Sequence, residues 1–400
     1  MTYDVLIIGG GPAGLMAANV LSQYGIDYLL LEKNERVGKK ILITGGKRSN
    51  VTNALAVDAF IDALDFKHKK FLYPCLTSFG PKDIIRFFKQ KGLNLKLEPP
   101  IKYFPDTEKA QSVLDALLKD IPNKHIKLTQ HVIDVKKDND VFIIKTKDKT
   151  FKSLHVLVAT GSKSYPETGS SGDGLLFAEH FDIPVKPFTP AEATLYGDTK
   201  QIPFNKLKGT QLKNCSLFIN GKKSKHEGDL MFTHYGLSGP VILKASHQVF
   251  DSLQKEKTYV SFSLCSLSTL ELKTLFHQLK DEKKALKTIL SKLMPNALAE
   301  YISDVIGHQH TPFCKLNQHD LAKLIDLITD FKVDVHHVQD IYRAFVNAGG
   351  IDTKALNPYS FEVKMIPGLY FIGETVDIFG PIGGFNITMA LSSGFSAAIH

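Results

Sequence analysis

Apolar and polar positions at the start of the chain predict a strand, a turn and a helix in close succession. Residues 3–8 are mostly apolar, a glycine-rich stretch follows at Gly9, Gly10, Gly11, Pro12, Ala13 and Gly14, and residues 15–23 carry helical apolar spacing. A second apolar run at 28–31 predicts another strand, and it ends in Glu32. Residues 34–54 read as a polar, glycine-containing loop, and 81–90 and 108–119 as helices. Short strands divided by polar turns are predicted over 126–158, the last of them running through Val156, Leu157 and Val158 into Ala159, Thr160 and Gly161. Pro184, Pro187 and Pro190 then punctuate a boundary. Beyond it, 194–263 reads as strand-rich and 270–328 as helix-rich with breaks at Pro295 and Pro312, before 331–338 alternates as a strand. Near the end, a strand at 369–372 leads to Gly373 and Glu374, a loop through Asp377, the pair Gly383 and Gly384, and an apolar helix from Phe385.

Four hundred residues exceed what one core usually organises, so more than one domain is expected. The pattern predicts an α/β chain: a Rossmann-like nucleotide domain of the two-dinucleotide-binding type, formed by 1–187 and 345–400, with an insertion at 188–344. The insertion divides into a small β-barrel, about 188–268 and 329–344, and a helical subdomain, about 269–328.

The opening motif specifies a nucleotide site. Gly9 permits the tight turn, Gly11 lets the backbone approach a pyrophosphate, Gly14 allows close helix packing, and the helix start at Pro12 and Ala13 faces the phosphates. Glu32 stands where a carboxylate accepts hydrogen bonds from a ribose. Lys33 and, in the following loop, Lys40, Thr44, Gly45 and Asn50 are assigned to the same cofactor. The far end of the chain selects FAD over NAD, because the strand turn at Thr160 and Gly161, the Gly373–Glu374 turn and the glycine pair before Phe385 and Asn386 close an FAD domain. A glycine pair opening a helix offers backbone N–H groups and a positive dipole end to the N1/O2 side of a reduced flavin. No second complete glycine motif follows a strand, so no dedicated NAD(P)H domain is visible.

Charge and cysteine usage narrow the chemistry. The formal net charge is +8, yet 33–102 alone holds fifteen Lys or Arg against six Asp or Glu, a net +9. Such a segment suits a phosphate-bearing partner, with a solvated lysine surface as the plainer alternative. Cys75, Cys215, Cys265 and Cys314 form no C-x-x-C pair, which argues against a metal knuckle or a dithiol that passes electrons from flavin to a disulfide, and suggests buried thiols. No window approaches the roughly 20 apolar residues of a membrane span, and no basic stretch precedes the first apolar run, so a cytoplasmic location is expected.

Several separated segments resemble the BaiN/RdsA family of NAD(P)/FAD-dependent oxidoreductases, over almost the whole chain. They are Thr44-Gly45-Gly46-Lys47-Arg48-Ser49-Asn50-Val51-Thr52-Asn53, Phe104-Pro105 with Lys109-Ala110, and Tyr165-Pro166 with the run from Gly169 to Gly174. To these are added Phe232-Thr233-His234 with Gly236-Leu237-Ser238-Gly239-Pro240, Gly373-Glu374 after its strand, and Gly383-Gly384-Phe385-Asn386. The resemblance implies the inserted barrel and helical subdomain, FAD, and NAD(P)H as electron donor. It also implies reduction of an activated C=C bond, either the 5,6 bond of a uridine in large-subunit (23S) ribosomal RNA or a conjugated enone of a bile acid. Two departures stand out: Lys47 replaces a family glycine, and Ser49 replaces a cysteine. A serine hydroxyl is too weakly acidic to take over a thiol's proton chemistry.

Within that reading, Arg48 and Lys47 are the candidate cations for a carbonyl oxygen that gains negative charge, with Arg48 pairing the pyrophosphate as the alternative. His234 is the candidate for proton traffic, and Tyr165 and Thr233 are candidates to line the pocket. Ribosomal RNA fits the basic segment through Lys67, Lys69, Lys70, Lys82, Arg86, Lys89 and Lys91. A small-molecule ene-reductase and a non-catalytic flavin-containing RNA-binding protein are the competing classes.

Overall fold

Strands buried on both faces form the centre of the first unit. The computed structural model describes residues 2–400, which divide into two compact units, 2–189 with 341–400 and 190–340. In the first unit, strand Thr2–Ile8 pairs in parallel with Tyr28–Leu31 on one side and Thr150–Val158 on the other. Ile126–Lys127 extends the sheet beyond Tyr28–Leu31. The returning strand Leu369–Phe371 pairs in parallel with Thr150–Val158, which also starts an antiparallel meander with Val141–Thr146 and Val132–Asp138. Leu6, Ile7, Leu29, Leu30, Val156 and Phe371 are essentially inaccessible, as a sheet covered on both faces requires.

Helix Pro12–Tyr24 follows the first strand, and the closing helix Phe385–Ile399 lies against it. The contact is close enough that a Cβ at Gly394 would meet the Ala13 carbonyl oxygen at 2.2 Å. The 34–54 stretch is more ordered than a loop: it holds helix Lys39–Ile43 and strand Thr52–Asn53. That short strand joins a separate antiparallel sheet with Lys102–Pro105 and Leu95–Glu98.

The second unit holds a closed six-stranded barrel made of Leu195–Gly197, Gly236–Ser238, Lys222–Phe232, Gln211–Ile219, Thr258–Phe262 and Phe331–Val338. Phe232, Phe262 and Phe331 pack their rings in its interior. Helices Thr269–Gln278, Leu286–Leu290, Asn296–Ile306 and Gln318–Thr329 fall in the stretch expected to be helical. Helix Pro240–Leu253 was not expected within the strand-rich stretch. Pro240 at its first position and the buried series Val241, Ile242, Ala245 and Val249 make it an amphipathic helix, which a run of short strands on either side obscures.

All four cysteines are free, and Cys314 is exposed rather than buried. Burial pushes the Cys75 thiol up to about 12. Among the described residues, no helix is long and apolar enough to cross a membrane, and no cluster of His, Cys, Asp or Glu could hold a metal.

Candidate active site

Strand register sets the floor of the site. Ile8 pairs with both Leu31 and Val158, and Val158 with Phe371, so the carboxyl ends of four parallel strands finish level. Ligands of open α/β sheets bind at such ends. A cavity of about 510 Å³ opens there, lined from the Gly9–Gly11 turn and Glu32 to Asn50, Lys102, Phe104, Gly383 and Gly384.

At the first turn, Gly9 has φ +108°, and a Cβ there would sit 2.5 Å from the Ala159 carbonyl oxygen. A Cβ at Gly14 would lie 2.0 Å from the Gly9 oxygen. At Gly11, by contrast, a side chain would meet nothing within 4 Å. Helix Pro12–Tyr24 has no side-chain cap, so its first amides are left for a ligand. The Glu32 carboxylate, 7% exposed, accepts from Gly10 N and Asn34 N at 2.8 Å and from Asn34 Nδ2 at 2.7 Å. Three of its roughly four acceptor positions are used, which leaves one for a ribose hydroxyl. Gln130 donates its amide N–H to the Glu32 carbonyl, and its own Oε1 is buried without a partner.

Ion pairs tie distant segments around the cavity. Lys33 binds Asp173 at 2.8 Å and the Ser171 hydroxyl. Burial opposes ionisation of Asp173, yet the hydrogen bonds from Lys33 and Ser171 hold its carboxyl below the usual range. Lys40 reaches Glu374 and Ser164, each at 2.7 Å, and so links the early loop to the last strand turn. Thr160 Oγ1 accepts from Gly174 N, Gly161 N donates to Thr375 Oγ1, and Gly373 N donates to Ser393 Oγ, which fixes the backbone of these turns.

The opposite end is built from the short antiparallel sheet and the glycine pair. Asn50 Nδ2 donates to the Thr52 and Tyr103 carbonyls at 2.9 Å, an orientation that leaves Oδ1 as a buried acceptor without a partner. Gly384 has φ +85°, and a Cβ would fall 2.4 Å from the Thr52 carbonyl carbon and oxygen. A Cβ at Gly383 would be no closer than 3.8 Å to anything, its nearest neighbour being Lys102 Cε. Asn386 clamps Gly380 by accepting from its N–H and donating to its carbonyl.

These features fit FAD. The space beside Gly11 and the uncapped helix suit a pyrophosphate, and the two orphaned acceptors, Gln130 Oε1 beside Glu32 and Asn50 Oδ1 beside the glycine pair, suit the N–H groups of an adenine and an isoalloxazine.

Most residues assigned to the cofactor line the cavity: Gly9, Gly11, Pro12, Ala13, Glu32, Lys33, Lys40, Thr44, Gly45, Asn50, Thr160, Gly161, Gly373, Glu374, Gly383, Gly384 and Asn386. Gly14 and Phe385 stand behind it, the Phe385 ring packing on Phe60 with centroids 4.6 Å apart. Arg48 and Lys47 do not line it. Arg48 is held by Glu98 and Glu108, and its guanidinium lies 4.2 Å over the Phe104 ring. Lys96 and Arg48 keep the Glu108 carboxyl below its usual range. Lys47 is exposed with φ +71°. Ser49 is wholly buried, its hydroxyl 3.2 Å from that of Thr44. His234 is exposed on the barrel unit, with its ring centroid 5.9 Å from that of Tyr235. Tyr165 lines the cavity, and burial together with Glu167 pushes its phenol up.

Lys102, Phe104, Gln130 and His131 also line the cavity and were missed from sequence. Only the nearby Phe104-Pro105 motif hinted at them, since a four-residue strand has too few positions to show a period.

The basic segment carries less free charge than its count. Lys33, Lys40, Arg48, Arg86, Lys91 and Lys96 are ion-paired. Lys91 is buried against Asp120 and so offers nothing to a phosphate, contrary to its assignment. Lys69 donates to the Asp62 and Leu64 carbonyls. Lys67, Lys70, Lys82 and Lys89 are exposed and have no ion pair among the described residues.

Comparison with known proteins agrees with this geometry. The model of the HI0933-like protein Rossmann domain matches residues 3–400. A ribosomal RNA dihydrouridine synthase of Escherichia coli (strain K12) is 29% identical, covering 99% of this chain and 97% of the relative. A 3-dehydro-bile acid delta(4,6)-reductase of Clostridium scindens is 28% identical, covering 98% and 97%. Among solved structures, 3-ketosteroid delta1-dehydrogenase from Sterolibacterium denitrificans superposes with a TM-score of 0.52 at 12% identity, covering 100% of this chain and 99% of that one, a likeness of fold. The chain belongs to the HI0933-like family and is an FAD-dependent oxidoreductase.

Proposed function

We propose that this enzyme reduces the 5,6 double bond of a uridine in 23S ribosomal RNA, with NAD(P)H as electron donor. The observation that carries the RNA reading is a stripe of cations on helix Pro81–Gln90. Lys82, Arg86 and Lys89, spaced i, i+4, i+7, share one exposed face, on which Arg86 also pairs with Asp83 while Lys82 and Lys89 have no ion pair among the described residues, and Lys67 and Lys70 are exposed nearby in the chain. Such a stripe positions a phosphate backbone without reading sequence. The kinship with a named ribosomal RNA dihydrouridine synthase supports the same substrate.

Reduced FAD supplies a hydride to the carbon β to a carbonyl, which in uracil is C6. The protein's part is placement. The open space at Gly11 and the first amides of helix Pro12–Tyr24 hold the phosphates, and Glu32 holds the ribose. Arg48, fixed by Glu98 and Glu108, positions the Phe104 face of the cavity, and Lys47 beside it is exposed with no ion pair among the described residues. The target base has to leave its stack to reach the cavity, so unpaired or incompletely assembled RNA is the substrate form. The proton that completes the reduction is assigned to His234 of the Phe232-Thr233-His234 motif. Replacing it, His234→Gln, is expected to leave FAD bound and slow product formation, and unchanged turnover would remove it from the mechanism.

The deciding experiment incubates the protein with NAD(P)H and unmodified 23S ribosomal RNA without oxygen, followed by nucleoside mass spectrometry. A uridine at one defined position gaining two hydrogens supports the proposal. Flavin reduction with no modified nucleoside, together with turnover of a small conjugated enone, overturns it in favour of the second reading, which the bile-acid reductase relative suggests.

A further inference from the structure

Lys102 is a cation without a counter-charge in a cavity where every lining carboxylate is already engaged. It opens strand Lys102–Pro105 and sits opposite Glu98 in the antiparallel register. Glu98, however, is bound to Arg48. Of the acids that line the cavity, Asp173 belongs to Lys33, Glu374 to Lys40, and Glu32 to the backbone of Gly10 and Asn34. Among the described residues, Lys102 has no ion pair. Its side chain is half-buried, and Cε lies 3.8 Å from the Cβ position of Gly383, beside the start of the fifteen-residue helix Phe385–Ile399. Across the strand pair it faces Asn53, whose Nδ2 reaches the Gly383 carbonyl at 3.4 Å. An ammonium and a helix start thus converge on one end of the cavity, away from the Gly9–Gly11 turn that suits the pyrophosphate. What that end lacks is an anion.

We propose that Lys102 is the electrostatic partner of the reduced flavin ring, stabilising the reduced cofactor over the oxidised one. The inference rests on the FAD reading of the cavity. Hydride transfer from NAD(P)H gives the neutral oxidised ring one net negative charge and leaves NAD(P)+, and Lys102 keeps its proton throughout. No bond to Lys102 forms or breaks. Its contribution is the attraction between a fixed ammonium and a charge present only after reduction, which raises the reduction potential and makes NAD(P)H a sufficient donor.

The test uses FAD-loaded full-length protein and sulfite, whose dianion adds to the oxidised ring without turnover and leaves one negative charge on the ring, as hydride does, besides the charge of the sulfonate itself. Lys102→Gln and Lys102→Met are both expected to weaken sulfite binding about tenfold, equivalent to a potential lowered by about 30 mV for a two-electron couple. Lys102→Arg, which keeps the charge, is expected to stay within about threefold of the parent. FAD content, read from absorbance, should be equal in all four proteins. Unchanged sulfite affinity in both neutral variants would overturn the proposal. Loss of oxidised FAD from them would also overturn it, because Lys102 would then be an anchor indifferent to redox state. If the parent itself retained no FAD, the cofactor reading would fail instead.

Discussion

Two glycine turns bound the same cavity from opposite ends of the chain, and each divides its glycines between two tasks. At the Gly9–Gly14 turn, Gly9 and Gly14 are packing residues whose missing side chains leave room for backbone, whereas Gly11 opens onto free space. At the second turn, Gly384 is pressed against Thr52 with positive φ, whereas Gly383 is open. The first turn is nevertheless a local device of strand, turn and helix in twenty-three consecutive residues. The second is assembled from strand Thr52–Asn53, strand Lys102–Pro105 and the closing helix, which starts at least 280 positions after either strand. A local turn brings its own charge environment, while an assembled one takes its charge from whichever side chains the topology delivers. That is how an uncompensated Lys102 comes to stand beside Gly383.

The comparison breaks most visibly at the packing glycines. Gly384→Ala would place a methyl 2.4 Å from the Thr52 backbone at φ +85°, where neither side is a flexible side-chain end. Pushing the strand and the helix apart should cost on the order of 3 kcal/mol or more. The expected result is a large fall in thermal stability and no retained FAD. A variant of parental stability would mean that the closing helix is not fastened there.

Gly11→Ala separates the two tasks within one motif. Its backbone, φ −82° and ψ −175°, is extended and open to any residue, and the new methyl would meet no protein atom within 4 Å. Stability of the protein without FAD should therefore change by less than about 0.5 kcal/mol. FAD affinity, measured by fluorescence titration, should nevertheless fall at least about tenfold, because the methyl occupies the space assigned to the pyrophosphate. Parental affinity would show that the phosphates do not pass beside Gly11.

The same contrast explains what the sequence could and could not reveal. The Gly9–Gly14 turn, Glu32 and the strand turn at Thr160 and Gly161 are readable because each follows directly from a strand, and period and motif agree within a short window. Gly383 and Gly384 are readable as a helix start, though nothing local reports that Thr52 lies against them. Arg48 looked like a free cation because Glu98 and Glu108, fifty and sixty residues away, are invisible to local reading. Lys102 was passed over for the converse reason: a lysine in a four-residue strand looks solvated until the cross-strand Glu98 is seen to be occupied. Helix Pro240–Leu253 was lost among strands whose alternation dominates the window.

The smallest expected effect concerns acid, and it distinguishes the ends by charge rather than by shape. At the nucleotide end the Asp173 carboxyl is held below its usual range, because the bonds from Lys33 and Ser171 outweigh the burial that opposes its ionisation. A carboxyl lowered in the folded state contributes stability that is fully present above its unfolded pKa of about 3.9, and loses it as the pH falls through the lower folded value. Asp173→Asn should therefore be less stable than the parent at neutral pH by about 1 kcal/mol, the scale of a partly exposed pair. That difference should close as the pH drops below about 4, when the parent's own carboxyl takes up a proton. At the glycine-pair end Lys102 has no carboxylate partner among the described residues, so the gap between Lys102→Gln and the parent should not change across the same range. Denaturant titrations of the parent and the two variants, each at neutral and at acid pH, measure both. A gap for Lys102→Gln that closes in acid as the Asp173→Asn gap does would mean that a carboxylate compensates Lys102 after all, and the two ends would then differ in shape but not in charge.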